Sequence, residues 1–317
     1  MNFRFSISDF RLLPQSKIQN LKSKIRDYGR LIRFSHTVFA LPFALSSVAL
    51  AWPTHPVTLR SLLWILVAMV GARSAAMGFN RIADRKFDAL NPRTRGWELP
   101  QGKVGLGEAI WLTAAASLIF IFAAYQLSFI CFVLSPVALA IVFFYSLTKR
   151  FTWTSHLFLG LALSLAPMGA WLAVSDLPAD LGELVIPAFL GLAVLFWLAG
   201  FDVIYALQDR EFDRQHELSS IPVRFGIAGA LRLSSLFHMA TVFFLASVGL
   251  SARLGIIYWI GLGIISVILF WEHRIVRPDD LSRINRAFFD FNAYVSIGYF
   301  LTTLGDVLLT FGLSVGQ

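Results

Sequence analysis

Apolar runs of about twenty residues, the length a helix needs to cross a bilayer, recur along the whole chain. Nine are read as membrane spans, at roughly 31–51, 60–80, 107–126, 129–147, 155–175, 184–206, 228–250, 253–271 and 291–313. The expected fold is therefore all-α, a polytopic bundle of nine transmembrane helices over residues 30–317, behind a basic N-terminal segment at 1–29. Composition agrees: 57% of the 317 residues are hydrophobic and only 15% charged, against about a quarter charged in ordinary soluble domains. No linker is long or polar enough to separate a pair of soluble domains. The single cysteine, Cys131, sits in an apolar run, which excludes an intrachain disulfide and a thiolate metal cluster. The six histidines (36, 55, 156, 216, 238 and 273) show no metal-ligand spacing.

The net charge of +8 points to topology rather than to nucleic acid, because the basic residues lie between spans. Of 27 Lys and Arg, 24 fall in the N-terminal segment or after spans 2, 4, 6 and 8. Arg60 and Arg253 lie on the other side, and Arg73 is inside span 2. Basic loops stay cytoplasmic, so the N-terminus is expected inside and the C-terminus in the periplasm, with the protein in a bacterial cytoplasmic (inner) membrane. Residues 1–29 lack the apolar core of a signal peptide. Ile18, Leu21 and Ile25 recur at helical spacing among Lys17, Lys22, Lys24 and Arg26. That pattern suits a helix lying on an anionic membrane surface, or equally a partly disordered tail.

Two acidic stretches stand where spans reach the cytoplasmic face, NRIADRKFD (80–88) and DREFD (209–213). Residues four apart share one side of a helix, so Asn80, Asp84 and Asp88 are expected to form one stripe. Asp202, Tyr205, Asp209 and Asp213 are expected to form another. The shared D-R-x-F-D hints at a parallel internal repeat. Charge balance in solvated loops would explain Asp88 or Asp213 taken alone. It does not explain Asp202, which lies inside an apolar run, where an ionisable group is costly and a functional candidate. Arg73 is also inside, on the face of Asn80. Two acidic stripes and a buried arginine at one membrane face suit Mg²⁺ and a phosphate, since Mg²⁺ takes carboxylate oxygens and bridges to substrate phosphates. Small residues (Ala76, Gly78, Ala83 and the pair Ala199-Gly200) are expected to leave room beside these stripes. Asp306, near the outer end of span 9, is read as a boundary residue with no evident partner.

These residues resemble the UbiA superfamily of intramembrane prenyltransferases, which carries N-D-x-x-D-x-x-x-D after its second span and D-x-x-x-D after its sixth. The resemblance extends to Arg73, to NPRTRGWELPQG (91–102), to YSLTKRFT (145–152) and to DVIYALQDREFD (202–213). Two positions depart from it: Arg81 replaces an aspartate, and Trp97-Glu98 stands where Arg-Pro is common. The closest likeness is to the polyprenyltransferases of 4-hydroxybenzoate, and RFSHTVFALPFAL (33–45) is similar to a branch serving naphthoate acceptors in menaquinone synthesis.

The resemblance implies the following chemistry. Asn80, Asp84 and Asp88, facing Asp209 and Asp213, hold Mg²⁺ that grips a polyprenyl diphosphate. Arg93, Lys149 and Arg150 neutralise the departing diphosphate, with Tyr145 in the same loop motif. Arg73, Asp202 and Tyr205 orient the aromatic acid acceptor or the allylic cation. The lipid bilayer is the medium for the prenyl tail, and no obligate protein partner is evident. A transporter also uses intramembrane carboxylates, but near the midplane beside broken helices. A CDP-alcohol phosphotransferase would need D-G-x-x-A-R ahead of its acidic motif, which neither stretch offers.

Overall fold

A computed structural model of the protein describes residues 24, 27–31, 39–176 and 180–312. Among the described residues nine principal helices carry the fold: α1 (Leu41–Ala51), α2 (Leu59–Leu90), α3 (Leu106–Leu127), α4 (Phe129–Thr148), α5 (Ser155–Ser175), α6 (Val185–Ala206), α7 (Ile221–Ser251), α8 (Ile256–Ile275) and α9 (Asn292–Gly312). Among the described residues there is no β-strand beyond one isolated bridge, Arg277 to Asp280. Eight of the described helices, α2 to α9 with their short extensions, are long and apolar enough to cross a membrane. The chain is thus an integral, multi-pass helical protein.

The first expected span is only partly described. α1 has 11 residues, too few to cross alone, and residues 32–38 lie outside the described residues. Most of the expected N-terminal surface segment lies outside them as well. Of that segment, residues 27–31 are helical, Leu31 is buried, and Lys24 pairs with Glu108 of α3 at 2.5 Å.

Local sequence explains the helix ends. The side chain of Thr58 accepts from the Ser61 amide and Ser61 returns the bond, a reciprocal cap on α2. Ser128 caps α4 through the Cys131 amide. Asp306 is not the partnerless residue expected: from α9 it accepts the amides of Gly255 (2.7 Å) and Tyr258 (3.2 Å) and so caps α8.

α2 has 32 residues, roughly 48 Å at 1.5 Å per residue, well beyond a hydrocarbon core of about 30 Å. Its last turns carry the first acidic stretch out of the core as continuous helix. The second stretch differs from the expected single helical stripe. α6 ends at Ala206, a tight 3₁₀ turn spans Leu207–Asp209, and a short helix covers Arg210–Gln215. The chain turns back there, and Arg210 donates to the Pro222 carbonyl at the start of α7 (3.0 Å). Shortly after, Gly226 takes φ +69°, a left-handed conformation that kinks α7 and that side chains disfavour.

α6 is wedged between α5 and α7, and α2 packs along α3. The core gathers on α6: Trp197 is fully buried against Phe43 and Phe201. At Gly160 of α5 a Cβ would stand 2.3 Å from the Leu195 carbonyl oxygen of α6, so only glycine permits this approach. Outward faces expose large apolar residues such as Trp111, Phe129 and Val267, as lipid contact requires.

Candidate active site

A cavity of about 270 Å³ lies among α2, α4, α5, α6 and the loop after α2. All twelve residues singled out from the sequence line it. Arg73, Asn80, Asp84 and Asp88 come from α2, Arg93 from the loop, and Tyr145 from α4. Lys149 and Arg150 follow α4, and Asp202, Tyr205, Asp209 and Asp213 come from α6 and its extension. The α2 stripe is as expected. The second stripe reaches the cavity although its helix is broken, because the 3₁₀ turn redirects Asp209 and Asp213 together.

Charge in the cavity is balanced: five carboxylates (Asp84, Asp88, Asp202, Asp209, Asp213) face five cations (Arg73, Arg81, Arg93, Lys149, Arg150). Arg93 grips Asp209 with two bonds, Nε to Oδ1 at 2.9 Å and Nη2 to Oδ2 at 2.5 Å. This planar, two-point grip is the strong kind of ionic hydrogen bond. Arg93 also donates to the Tyr205 hydroxyl at 3.2 Å. Arg150 donates to Asp84 at 2.9 Å, Lys149 lies 3.4 Å from Asp213, and Arg81 lies 3.6 Å from Asp88. Asn80 donates to Asp84 at 3.0 Å and to Ser146 at 3.4 Å.

The loop cations are firmly charged. Burial disfavours the charge of Arg93, but the hydrogen bonds and charge of Asp209 outweigh it and hold the guanidinium above its ordinary value. Burial works against Lys149 too. Asp213 first, then Asp209, Asp202 and Asp84, outweigh it and raise the ammonium.

Sequence reasoning missed several groups that meet only through the fold. Asn91 donates to Asp209 at 3.1 Å. Arg81 lies 3.6 Å over the Trp97 ring, so the two departures from the family pattern are stacked on each other. His156 is fully buried and pairs through Nδ1 with Asp202 at 2.6 Å. The inner cavity is lined by Phe39, Phe201, Tyr205 and Phe288. Tyr205 and Phe288 have ring centroids 4.1 Å apart, and Phe39 and Phe201 pack within 5.8 Å of each other. Such π faces attract a cation. The small residues expected beside the stripes do not line the cavity. Gly78 backs onto Thr113, Gly200 onto His238, and Ala76, Ala83 and Ala199 face elsewhere.

The donor set suits Mg²⁺. It is all oxygen, and the buried Oδ2 of Asp88 makes no hydrogen bond. Among the described residues no three His, Cys, Asp or Glu side chains gather closely enough to hold an ion unaided. Mg²⁺ does not need that, since it takes one or two carboxylates and completes its shell with substrate phosphates and water.

Comparison with known proteins follows the same line. Residues 40–296 match the UbiA prenyltransferase family. The chain is 32% identical to the 4-hydroxybenzoate octaprenyltransferase of Pseudomonas aeruginosa strain UCBPP-PA14, covering 79% of this chain and 82% of that one. It is 31% identical to the 4-hydroxybenzoate octaprenyltransferase of Nitrosospira multiformis, covering 94% and 97%. Among solved structures, a UbiA homologue from Aeropyrum pernix K1 aligns with TM-score 0.77 at 34% identity, over 88% of this chain and 98% of that one. A UbiA homologue from Archaeoglobus fulgidus bound to GPP and Mg²⁺ aligns with TM-score 0.65 at 21% identity, over 88% and 99%, a likeness of fold.

Proposed function

We propose that this chain, which belongs to the UbiA prenyltransferase family, moves a polyprenyl group from polyprenyl diphosphate to 4-hydroxybenzoate in quinone biosynthesis. The observation that carries the reading is one cavity that joins paired acids and cations to aromatic and aliphatic walls. The names of the relatives from Pseudomonas aeruginosa and Nitrosospira multiformis support the acceptor. A naphthoate acceptor is the second reading, favoured by the RFSHTVFALPFAL segment at 33–45.

Each residue then has a task. Arg93, Lys149 and Arg150 bind the diphosphate and take up its growing negative charge as it leaves, the stage at which fixed charge accelerates most. Asn80, Asp84, Asp88, Asp209 and Asp213 would hold Mg²⁺, which when bound supplies further positive charge to the departing group. Phe39, Phe201, Tyr205 and Phe288 surround the allylic cation with π faces and keep water from it. Arg73, Tyr145, Asp202 and Tyr205 orient the acceptor. The nine-span topology, cytoplasmic site and inner-membrane location belong to this reading and are supported by the basic loops.

The test is a competition in membranes carrying the protein. Labelled polyprenyl diphosphate is supplied with equal 4-hydroxybenzoate and 1,4-dihydroxy-2-naphthoate, and products are identified by mass. Prenylated 4-hydroxybenzoate, lost with EDTA and restored with Mg²⁺, is expected. Product from the naphthoate alone overturns the acceptor, and full turnover in EDTA overturns the metal.

A further inference from the structure

We infer that His156 is the positioning residue for Asp202, and that Asp202 accepts the ring proton released when the acceptor is prenylated. The inference rests on the aromatic prenyl transfer proposed above. Asp202 lies seven residues before Asp209, about 10 Å further along the α6 path at 1.5 Å per residue, and it lines the cavity beside Phe201 and Leu198. His156 stands behind it, on the first turn of α5. Its ring is fully excluded from solvent, Nδ1 is 2.6 Å from Asp202 Oδ2, and Nε2 is buried with no hydrogen bond. No other hydrogen bond to Asp202 is present among the described residues. The carboxylate is therefore held at one oxygen by a donor that solvent cannot replace, while its side chain stays partly open where it lines the cavity.

The reaction creates a need for such a group. The C–O bond of the allylic diphosphate breaks and its electron pair leaves on the diphosphate. A π pair of the acceptor ring forms the new C–C bond. Aromaticity returns only when the substituted ring carbon gives up its proton, the C–H pair going back into the ring. Asp209, Asp213, Asp84 and Asp88 are each paired with a cation. Asp202 is the carboxylate whose partner is instead a histidine, and it sits among the apolar walls where the ring must lie. The proton passes from the ring carbon to the free oxygen of Asp202. The Nδ1–H of His156 fixes the plane of the carboxylate beforehand, much as an orienting partner does for other proton-accepting groups.

Three variants at one position test this in membranes, with 4-hydroxybenzoate carrying hydrogen or deuterium at the ring carbons beside the hydroxyl. His156→Leu removes the donor. His156→Asn returns an amide near the place of Nδ1, and His156→Gln places it further out. The wild-type protein should show no primary isotope effect, because breaking the C–O bond limits the rate. His156→Leu should lower kcat about tenfold to a hundredfold, the scale of losing an orienting partner, leave KM for the diphosphate unchanged, and develop a primary isotope effect. His156→Asn should recover most of kcat and lose the isotope effect, and His156→Gln should not. If His156→Leu fails to accumulate, the contrast between Asn and Gln decides. Unchanged turnover in His156→Leu, or slowed turnover without an isotope effect in both His156→Leu and His156→Gln, overturns the role. Failure of the wild type to prenylate 4-hydroxybenzoate overturns the proposed reaction instead.

Discussion

Arg81 stands where the family pattern has an aspartate, and the fold shows what keeps it there. Its guanidinium carbon lies over Trp97, 3.6 Å from the ring centroid, with an amino group 3.6 Å from Asp88. Arginine can stack and pair at once, and lysine cannot. Arg81→Ala strands the buried Asp88 carboxylate and should cost about 1–3 kcal/mol, read as a lower melting temperature in detergent, together with reduced turnover. Arg81→Lys keeps the charge without the stack and should fall between Arg81→Ala and the wild type. The stripe of Asn80, Asp84 and Asp88 could be read from four-residue spacing, because one regular helix carries all three. The Arg81–Trp97 stack, the Asn91–Asp209 bond and the His156–Asp202 pair could not. Each joins residues far apart in sequence, and a lone histidine in an apolar run leaves no periodic signal. Phe288 is hidden for the same reason among the 30 phenylalanines of the chain.

The two acidic elements show how far periodicity reaches. Apolar runs gave α3 to α6, α8 and α9 to within about four residues, but α7 starts seven residues earlier than expected, and hydropathy ended α2 near residue 80 whereas the helix continues to Leu90. Charged residues outside the bilayer do not stop a helix whose backbone bonds are already made. The break after α6 was illegible because a 3₁₀ turn has nearly the same side-chain spacing as the helix it ends. At this scale α5 and α6 are the pair that counts. Gly160 lets their backbones touch, four residues from His156 and facing Leu195, seven residues before Asp202. Gly160→Val should push the helices apart and cost about 1–3 kcal/mol through overpacking. It should slow turnover further by moving His156 away from Asp202, while Gly169→Ala on the same helix, where a Cβ meets nothing, should leave melting and turnover unchanged.

Among the described residues the molecule is a bundle of helices with apolar outer faces and an acidic and basic site set toward the ends of α2, α4 and α6. In the proposed reading, where basic loops stay inside, that end faces the cytoplasm. A reporter inserted near Gly102 should therefore read as cytoplasmic and one joined after Gln317 as periplasmic. A cytoplasmic C-terminus would mean that the α1 segment does not cross. The equal count of acids and bases in the cavity has a consequence for how substrates enter it. A diphosphate entering alone would leave the chamber with excess negative charge, and a divalent ion entering alone would leave it positive. Either imbalance is expensive in a medium that screens poorly. Arriving together, the two nearly cancel. Thermodynamic reciprocity then requires each to tighten the other by the same factor. The cavity should therefore act as a coincidence detector, binding the pair more tightly than either visitor alone.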